Sequence, residues 1–367
     1  MTALLLCWLM PVGADDDCGP WVWANPEIQG NSLRAVVYGD QQFVAAGEWG
    51  TVLTSYDGDN WHPERVDMTE TILDMTWGDG QFVGVFFGCY GPTALRSIDG
   101  EEWTLHNMGS WAPAYGVAWG EDVITRQDWY VTVGAGGTIL VSQKGTRWTQ
   151  VSSGTTDNLY SVVWDGERFI AVGADATILT SSDLYTWTPQ RTDSDWPTLY
   201  AVTAGLDRAI VVGSYGTVLG SFDGETWVAH SHGTTNRLYG LAWGNDSFAA
   251  VGQSSTIGTS ADGANWVEID WPSEDKELQA VAWGQDQFIA VGAGGTILSS
   301  PDGSNWYPED SGTEEALHGI AWGEDQFIAV GTEGTILSSP DGDLWFPEIS
   351  GSGTAHRCIL LNGGSLS

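Results

Sequence analysis

Lysine is almost missing from this chain. Two lysines (Lys144 and Lys276) and ten arginines stand against 48 acidic residues in 367 positions, a formal net charge of −36. Nucleic acid and anionic membrane surfaces bind through Lys and Arg set against phosphate, so neither is an expected partner. Long apolar runs are missing too. The longest opens the chain, MTALLLCWLMPVGA at 1–14, and is too short to span a bilayer, so no membrane insertion is expected. It ends in Val12-Gly13-Ala14 before Asp15-Asp16-Asp17, which suits signal-peptide cleavage after Ala14 and export to a periplasmic or extracellular space, although no Lys or Arg precedes it. Cys7 and Cys18 follow Leu6 and Asp17 rather than a small residue, which argues against a lipid anchor.

Cysteine and histidine are scarce as well. Cleavage leaves Cys18, Cys89 and Cys358, an odd number, so one thiol stays free or bridges between molecules. Cys18 and Cys358 flank the rest of the chain, and a disulfide between them would clip its two ends together. Cys89 would then be a buried, unpaired thiol. His230 and His232 form the one close histidine pair, with no further ligand nearby in sequence, so no metal is expected. There is no G-x-S-x-G phrase and no phosphate-cradling loop, and no cofactor is expected.

What the chain has in abundance is glycine, tryptophan and repetition. A phrase of Ser, one residue, Asp-Gly, two residues and Trp returns at 55–61, 97–103, 221–227, 260–266, 300–306 and 339–345. Worn copies stand at 142–148 (SQKGTRW) and 181–187 (SSDLYTW). The closing tryptophans are Trp61, Trp103, Trp148, Trp187, Trp227, Trp266, Trp306 and Trp345, spaced 42, 45, 39, 40, 39, 40 and 39. A period near forty over almost the whole chain marks a repeat architecture with one shared core, not two or three domains.

The cleanest copy, from Leu317 to Glu348, holds four short β-rich runs separated by turn residues. Four strands every forty residues describe one blade of a β-propeller. The expectation is therefore an all-β fold, a single propeller of about eight four-stranded antiparallel blades. Their approximate spans are 33–68, 72–108, 115–152, 159–191, 199–231, 238–271, 278–310 and 317–350. Residues 18–30 contain a stray fourth-strand phrase, and 354–363 a stray first-strand phrase, both available to the closing seam. Seven blades with an accessory repeat, or nine with a fragment, stay open on these residues alone.

The repeated phrase falls between strands three and four, and its residues are assigned to architecture. Asp57, Asp99, Asp183, Asp223, Asp262, Asp302 and Asp341 are expected to accept backbone N–H groups of their own turns. Each Trp wedges apolar surface between neighbouring sheets. Two further ladders run beside it. Strand one carries Trp77, Trp119, Trp164, Trp243, Trp283 and Trp322, with Tyr38 and Ala204 in the other places, and strand two opens on Phe43, Phe82, Phe169, Phe248, Phe288 and Phe327.

The phrase resembles the Asp-box, or BNR, repeat of sialidases, sortilins and photosystem II stability/assembly-factor-like propellers. The GTILSSPDGxxW wording at 295–306 and 334–345 is most similar to the last group and its uncharacterised bacterial relatives. The resemblance covers about residues 20–360. It implies that the Asp turns share one face and that ligand binds on the other, where strands two and three join and successive blades connect. Sialidase likeness would imply an arginine triad, but the ten arginines are scattered and no Arg-Ile-Pro phrase precedes the first box, so no catalytic residue is assigned. Assembly-factor likeness would imply an arginine-rich patch, which so acidic a chain lacks.

On the expected binding face the irregular stretches are FFGCYGPT at 86–93, SWAP at 110–113 and extra residues around 125–129. Aromatics interrupt the polar loops at Trp49, Tyr90, Trp111, Trp196, Tyr215 and Trp271, and these six are the candidate ligand contacts. The leading reading is an exported, non-catalytic monomer presenting an aromatic-bearing face to a protein or glycan ligand. The alternatives are a glycan-cleaving enzyme with its site on blades 2–4, and an assembly factor for a membrane-protein complex.

Overall fold

The computed structural model describes residues 30–88, 91–110, 112–122, 127–190, 197–205, 207–230, 233–269 and 276–350, with backbone alone at 87–88, 91–92, 121–122 and 350. The leader at 1–14, Cys18, Cys89 and Cys358 lie outside these residues, as do 354–363 and all but the last residue of 18–30.

Eight antiparallel sheets form a β-propeller ring, each built in chain order from its first strand to its fourth. Blade 1 is Leu33–Gly39, Gln42–Gly47, Val52–Ser55 and Asn60–Pro63, and blade 8 is Leu317–Gly323, Gln326–Gly331, Ile336–Ser339 and Phe346–Pro347. First strands of neighbouring blades pack on one another all round the ring, so they wall the central channel. The second strand of blade 8 is buried along its whole length, its third likewise, and its fourth is exposed. A strand apolar on both faces sits between two neighbours, whereas a polar one faces water. The core therefore lies between blades, as where Phe248, Ala250 and Trp266 of blade 6 meet Ile210, Val212 and Val218 of blade 5.

Strands one and two join through pairs of left-handed residues such as Asn245-Asp246 and Glu324-Asp325, the I′ geometry that matches strand twist. The Asp turns lie at the same end of each blade, between strands three and four. In blade 7 Asp302 Oδ1 accepts the N–H of Ser304 (2.8 Å) and Asn305 (2.7 Å), and the Trp306 indole donates to Gly303 O (2.8 Å). Gly303 has φ 73°, and in the worn copy of blade 4 Leu184 takes that left-handed place at φ 70° while Asp183 still caps Tyr185 and Thr186.

Two devices link neighbouring blades. In blades 1, 4, 7 and 8 the residue opening strand two donates to the carbonyl of the next blade's turn aspartate: Gln42 to Asp99, Arg168 to Asp223, Gln287 to Asp341 and Gln326 to Asp57. The second device pairs the glycine ending strand one with the strand-one aromatic of the following blade. The indole of Trp283 lies so close over Gly244 that any Cβ there would overlap it, and Gly39 with Trp77, Gly284 with Trp322 and Gly323 with Tyr38 repeat the arrangement.

The closing seam uses these same devices. Gln326 and Tyr38 bridge blades 8 and 1, and Leu33, Phe43, Leu53 and Trp61 pack against Ile328, Val330 and Ile336. Among the described residues, the four strands of blade 1 and of blade 8 each come from one continuous stretch of chain. Ile349–Ser350 crosses from blade 8 to pair in parallel with Asn60 and Trp61 at the outer edge of blade 1. One expectation is corrected. Of the extra residues around 125–129, the described Gln127–Trp129 pair with Gly120–Asp122 in the hairpin between strands one and two of blade 3, at its Asp-turn end and not the opposite one.

Candidate functional site

The face opposite the Asp turns carries the loops joining strands two and three. In six blades these loops close with a short 3-10 turn whose middle residue is left-handed. Blades 3 and 7 put Gly136 and Gly294 there, at φ 61°. Blades 1 and 5, opposite each other in an eight-membered ring, put Trp49 and Tyr215 there, each at φ 56°. A bulky residue in this region is strained by about 1–2 kcal/mol. Both side chains nevertheless stand out in solvent, Trp49 66 % and Tyr215 75 % exposed, so burial does not offset that strain. Blades 6 and 8 place Ser254 and Glu333 at the same left-handed position, at φ 55° and 52°, so Trp49 and Tyr215 differ in the exposed aromatic surface they present.

The other four expected aromatics, Tyr90, Trp111, Trp196 and Trp271, lie outside the described residues.

The tertiary structure adds a group that the six did not include. Near the start of strand one every blade has a bulge, as between Leu199 and Ala201 or Leu238 and Gly240. The extra residue of a bulge is re-aimed away from its sheet. At this position the eight blades carry Arg34, Leu73, Tyr115, Tyr160, Tyr200, Tyr239, Gln279 and His318, a ring around the channel mouth on the same face as Trp49 and Tyr215. Blades 3 to 6 turn it into an arc of half-buried tyrosines. Successive ring centroids are 5.7, 6.2 and 5.7 Å apart, and Tyr115 and Tyr160 are stacked at 27°. The signal in sequence was the Leu-Tyr pair opening blades 4, 5 and 6, hidden because it also reads as an ordinary strand.

The rest of the mouth is polar and held in place. His318 Nδ1 is 2.8 Å from Gln279 Oε1, and burial, with Arg34 nearby, lowers the pKa of this imidazole. Arg34 donates to Glu48 at 2.8 Å and holds that carboxyl below its ordinary range. Ser214 Oγ donates to the Tyr200 hydroxyl at 3.0 Å. Below Tyr215 a cleft of about 590 Å³ opens across blades 4 to 6, lined by Asp175, Thr198, Tyr200, Ser214, Arg237 and Gln253 among others. It joins the tyrosine arc to the exposed ring of Tyr215. Among the described residues, no three His, Cys, Asp or Glu side chains gather in a ligating group.

No family model matches the chain, and no curated protein matches it. Solved structures resemble it in fold. A computationally designed protein, Ika8, superposes with a TM-score of 0.68 at 12 % identity, covering 85 % of this chain and 97 % of its own. YCF48 from Cyanidioschyzon merolae gives 0.53 at 15 % identity over 85 % and 97 % of the two chains, and YCF48 bound to a D1 peptide gives 0.51 at 18 % over 72 % and 86 %.

Proposed function

We propose that this chain is an exported, non-catalytic binding scaffold that holds an extended, cationic segment of a partner protein across the channel mouth. The observation that carries the reading is the arc Tyr115–Tyr160–Tyr200–Tyr239, continuous with the cleft beneath Tyr215. Tyrosine gives large, stiff contact area with a polar tip, the chemistry of binding hot spots. The arc's length matches about five residues of extended chain at about 3.3 Å each. A net charge of −36 draws a Lys- or Arg-bearing segment toward it and repels acidic ones. Among the fold neighbours, YCF48 bound to a D1 peptide is an example of a propeller holding a peptide, which favours a protein segment over a glycan. An assembly role for a membrane-protein complex is one setting in which such a scaffold would serve.

The test is a parallel screen of the purified chain on a peptide array of graded charge and on a glycan array, with aryl-glycoside turnover scored alongside. Basic peptides should bind, and the Tyr160→Ala/Tyr200→Ala variant should lose at least tenfold in affinity. Binding confined to glycans, or glycoside turnover by the parent chain, would replace this reading.

A further inference from the structure

Charges of opposite sign stand at the two ends of the tyrosine arc. At the blade 3 end is Asp74, one residue below Leu73 of the mouth ring, on strand one of blade 2. The other blades put Ala, Gly or Ser at this place, so Asp74 is the one charged side chain at its level of the channel wall. It lies half-buried against blade 3, where its Oδ2 accepts the N–H of Val117 at 2.9 Å while its Oδ1 accepts the N–H of Met75 at 2.9 Å. Val117 is two residues beyond Tyr115, the first ring of the arc. An ionised carboxylate has about four acceptor sites, so these two bonds leave it short. Among the described residues no Lys, Arg or His pairs with it, and desolvation raises its pKa to about 6, the two N–H groups offsetting only part of that effect.

At the blade 6 end is Arg237, two residues before Tyr239, the last ring of the arc. It is exposed and lines the cleft beneath Tyr215 together with Tyr200, Ser214 and Gln253. Its carbonyl accepts the N–H of Gln253 at 2.8 Å, which holds the residue at the base of the loop between strands two and three. The corresponding place in the other blades is uncharged, apart from Glu277 in blade 7. Arg237 is one of only twelve basic residues in the chain, yet among the described residues it forms no ion pair, not even with Asp175 on the blade 4 side of the same cleft. Arg34, at the mouth on blade 1, is by contrast already tied to Glu48 at 2.8 Å. The planar fork of an unpaired guanidinium suits a carboxylate.

We infer that the segment held by the arc is dipolar: a Lys or Arg side chain seated at Asp74 and an Asp or Glu side chain seated at Arg237, about five residues of extended chain apart. The inference rests on the reading of the arc as a peptide site and adds the charge pattern of the partner. The net charge of −36 acts at a distance and favours any basic segment. At contact the two poles select separately, because a like or unmatched charge brought to either is desolvated without a partner. The acidic residue at the blade 6 end is the feature that net charge alone would disfavour.

The probes are three end-blocked peptides of equal length, titrated by calorimetry into the full chain. One carries Lys and Glu about five positions apart, one has the same composition with the two adjacent, and one has Lys at both of the separated places. The separated Lys/Glu peptide should bind at least about tenfold more tightly than either of the others. Arg237→Glu, a change to an exposed side chain, should reverse the order of the separated Lys/Glu and Lys/Lys peptides. Asp74→Asn, checked as folded by circular dichroism, should weaken the separated Lys/Glu peptide by about tenfold and leave its norleucine-for-Lys version unchanged. Equal affinity for the separated and adjacent peptides, or an unchanged order in Arg237→Glu, would overturn this inference and leave the peptide-site reading standing. No binding of any of the three by the parent chain would overturn both.

Discussion

Adding a single methyl group at a blade seam gives the sharpest test of how this ring is held together. In Gly244→Ala the new Cβ would overlap Cγ, Cδ2 and Cβ of Trp283, the strand-one indole of the next blade. That indole cannot simply swing aside, because it packs edge-on at 4.6 Å between ring centroids against Phe288, which is itself fully buried. Overpacking a close-packed core costs about 1–3 kcal/mol, and the absence of any free direction places this site at the upper end, about 3 kcal/mol. The assay is urea unfolding followed by tryptophan fluorescence, with the slope checked to be unchanged so that the midpoint reports stability. A double-mutant cycle isolates the contact. Trp283→Ala alone leaves a cavity and should cost about 3–5 kcal/mol. On that background Gly244→Ala should cost less than about 0.5 kcal/mol, a coupling of more than 2 kcal/mol between the two sites. If Gly244→Ala costs less than about 0.5 kcal/mol in the parent, or costs the same on both backgrounds, glycine at this position is not explained by the ring above it.

Four further outcomes follow from the same geometry. Asp74 takes the place that is Ala, Gly or Ser in the other blades, and burial raises its pKa to about 6 although it accepts the N–H groups of Val117 (2.9 Å) and Met75 (2.9 Å). Its folded pKa lies above the unfolded value, so its contribution to stability falls as pH rises from about 4 to about 6, by about 3 kcal/mol in all. Asp74→Ala should flatten the stability–pH curve across that window, and an unchanged curve would refute the assignment. The turn aspartates act in the opposite sense: backbone N–H groups hold Asp223 down to about 2, so the stability they confer is complete above about pH 4 and is lost as pH falls toward 2. Acid unfolding followed by circular dichroism should begin in that range, and Asp223→Asn should lower stability at pH 7 while the difference from the parent shrinks as pH falls toward 2. Trp49→Gly and Tyr215→Gly should each stabilise the fold by about 0.5–1 kcal/mol by relieving left-handed strain, and each should weaken peptide binding; a loss of stability would mean that these rings pack where they stand. Gln326→Ala and Gln287→Ala should cost about 1 kcal/mol each, and a much larger loss at Gln326 would show that the closing seam leans on its hook more than an internal seam does.

Much of the fold was legible from sequence because each blade repeats the same local solution. Period, turn chemistry and the alternation of apolar runs are short-range properties, and they marked the four strands of every blade and the turn role of residues such as Asp302 and Trp306. The candidate face was legible in part. Trp49 and Tyr215 stand out as aromatics in polar loops, and the structure adds that they hold strained positions on opposite blades. The tyrosine arc escaped notice because Tyr160, Tyr200 and Tyr239 each look like an ordinary strand residue. Their contact with one another spans about forty residues of chain per step and exists only after the ring closes.

The sequence by itself determined the unit: a four-stranded blade, its Asp-capped turn, its Trp and Phe ladders and the number of copies to within about one. Tertiary structure decided everything that depends on one blade meeting another. It set how blades 8 and 1 meet at the closing seam and which residues face each other across the channel mouth. The physical reason is that local pattern fixes backbone shape, whereas a site is made where side chains from separate repeats converge in space.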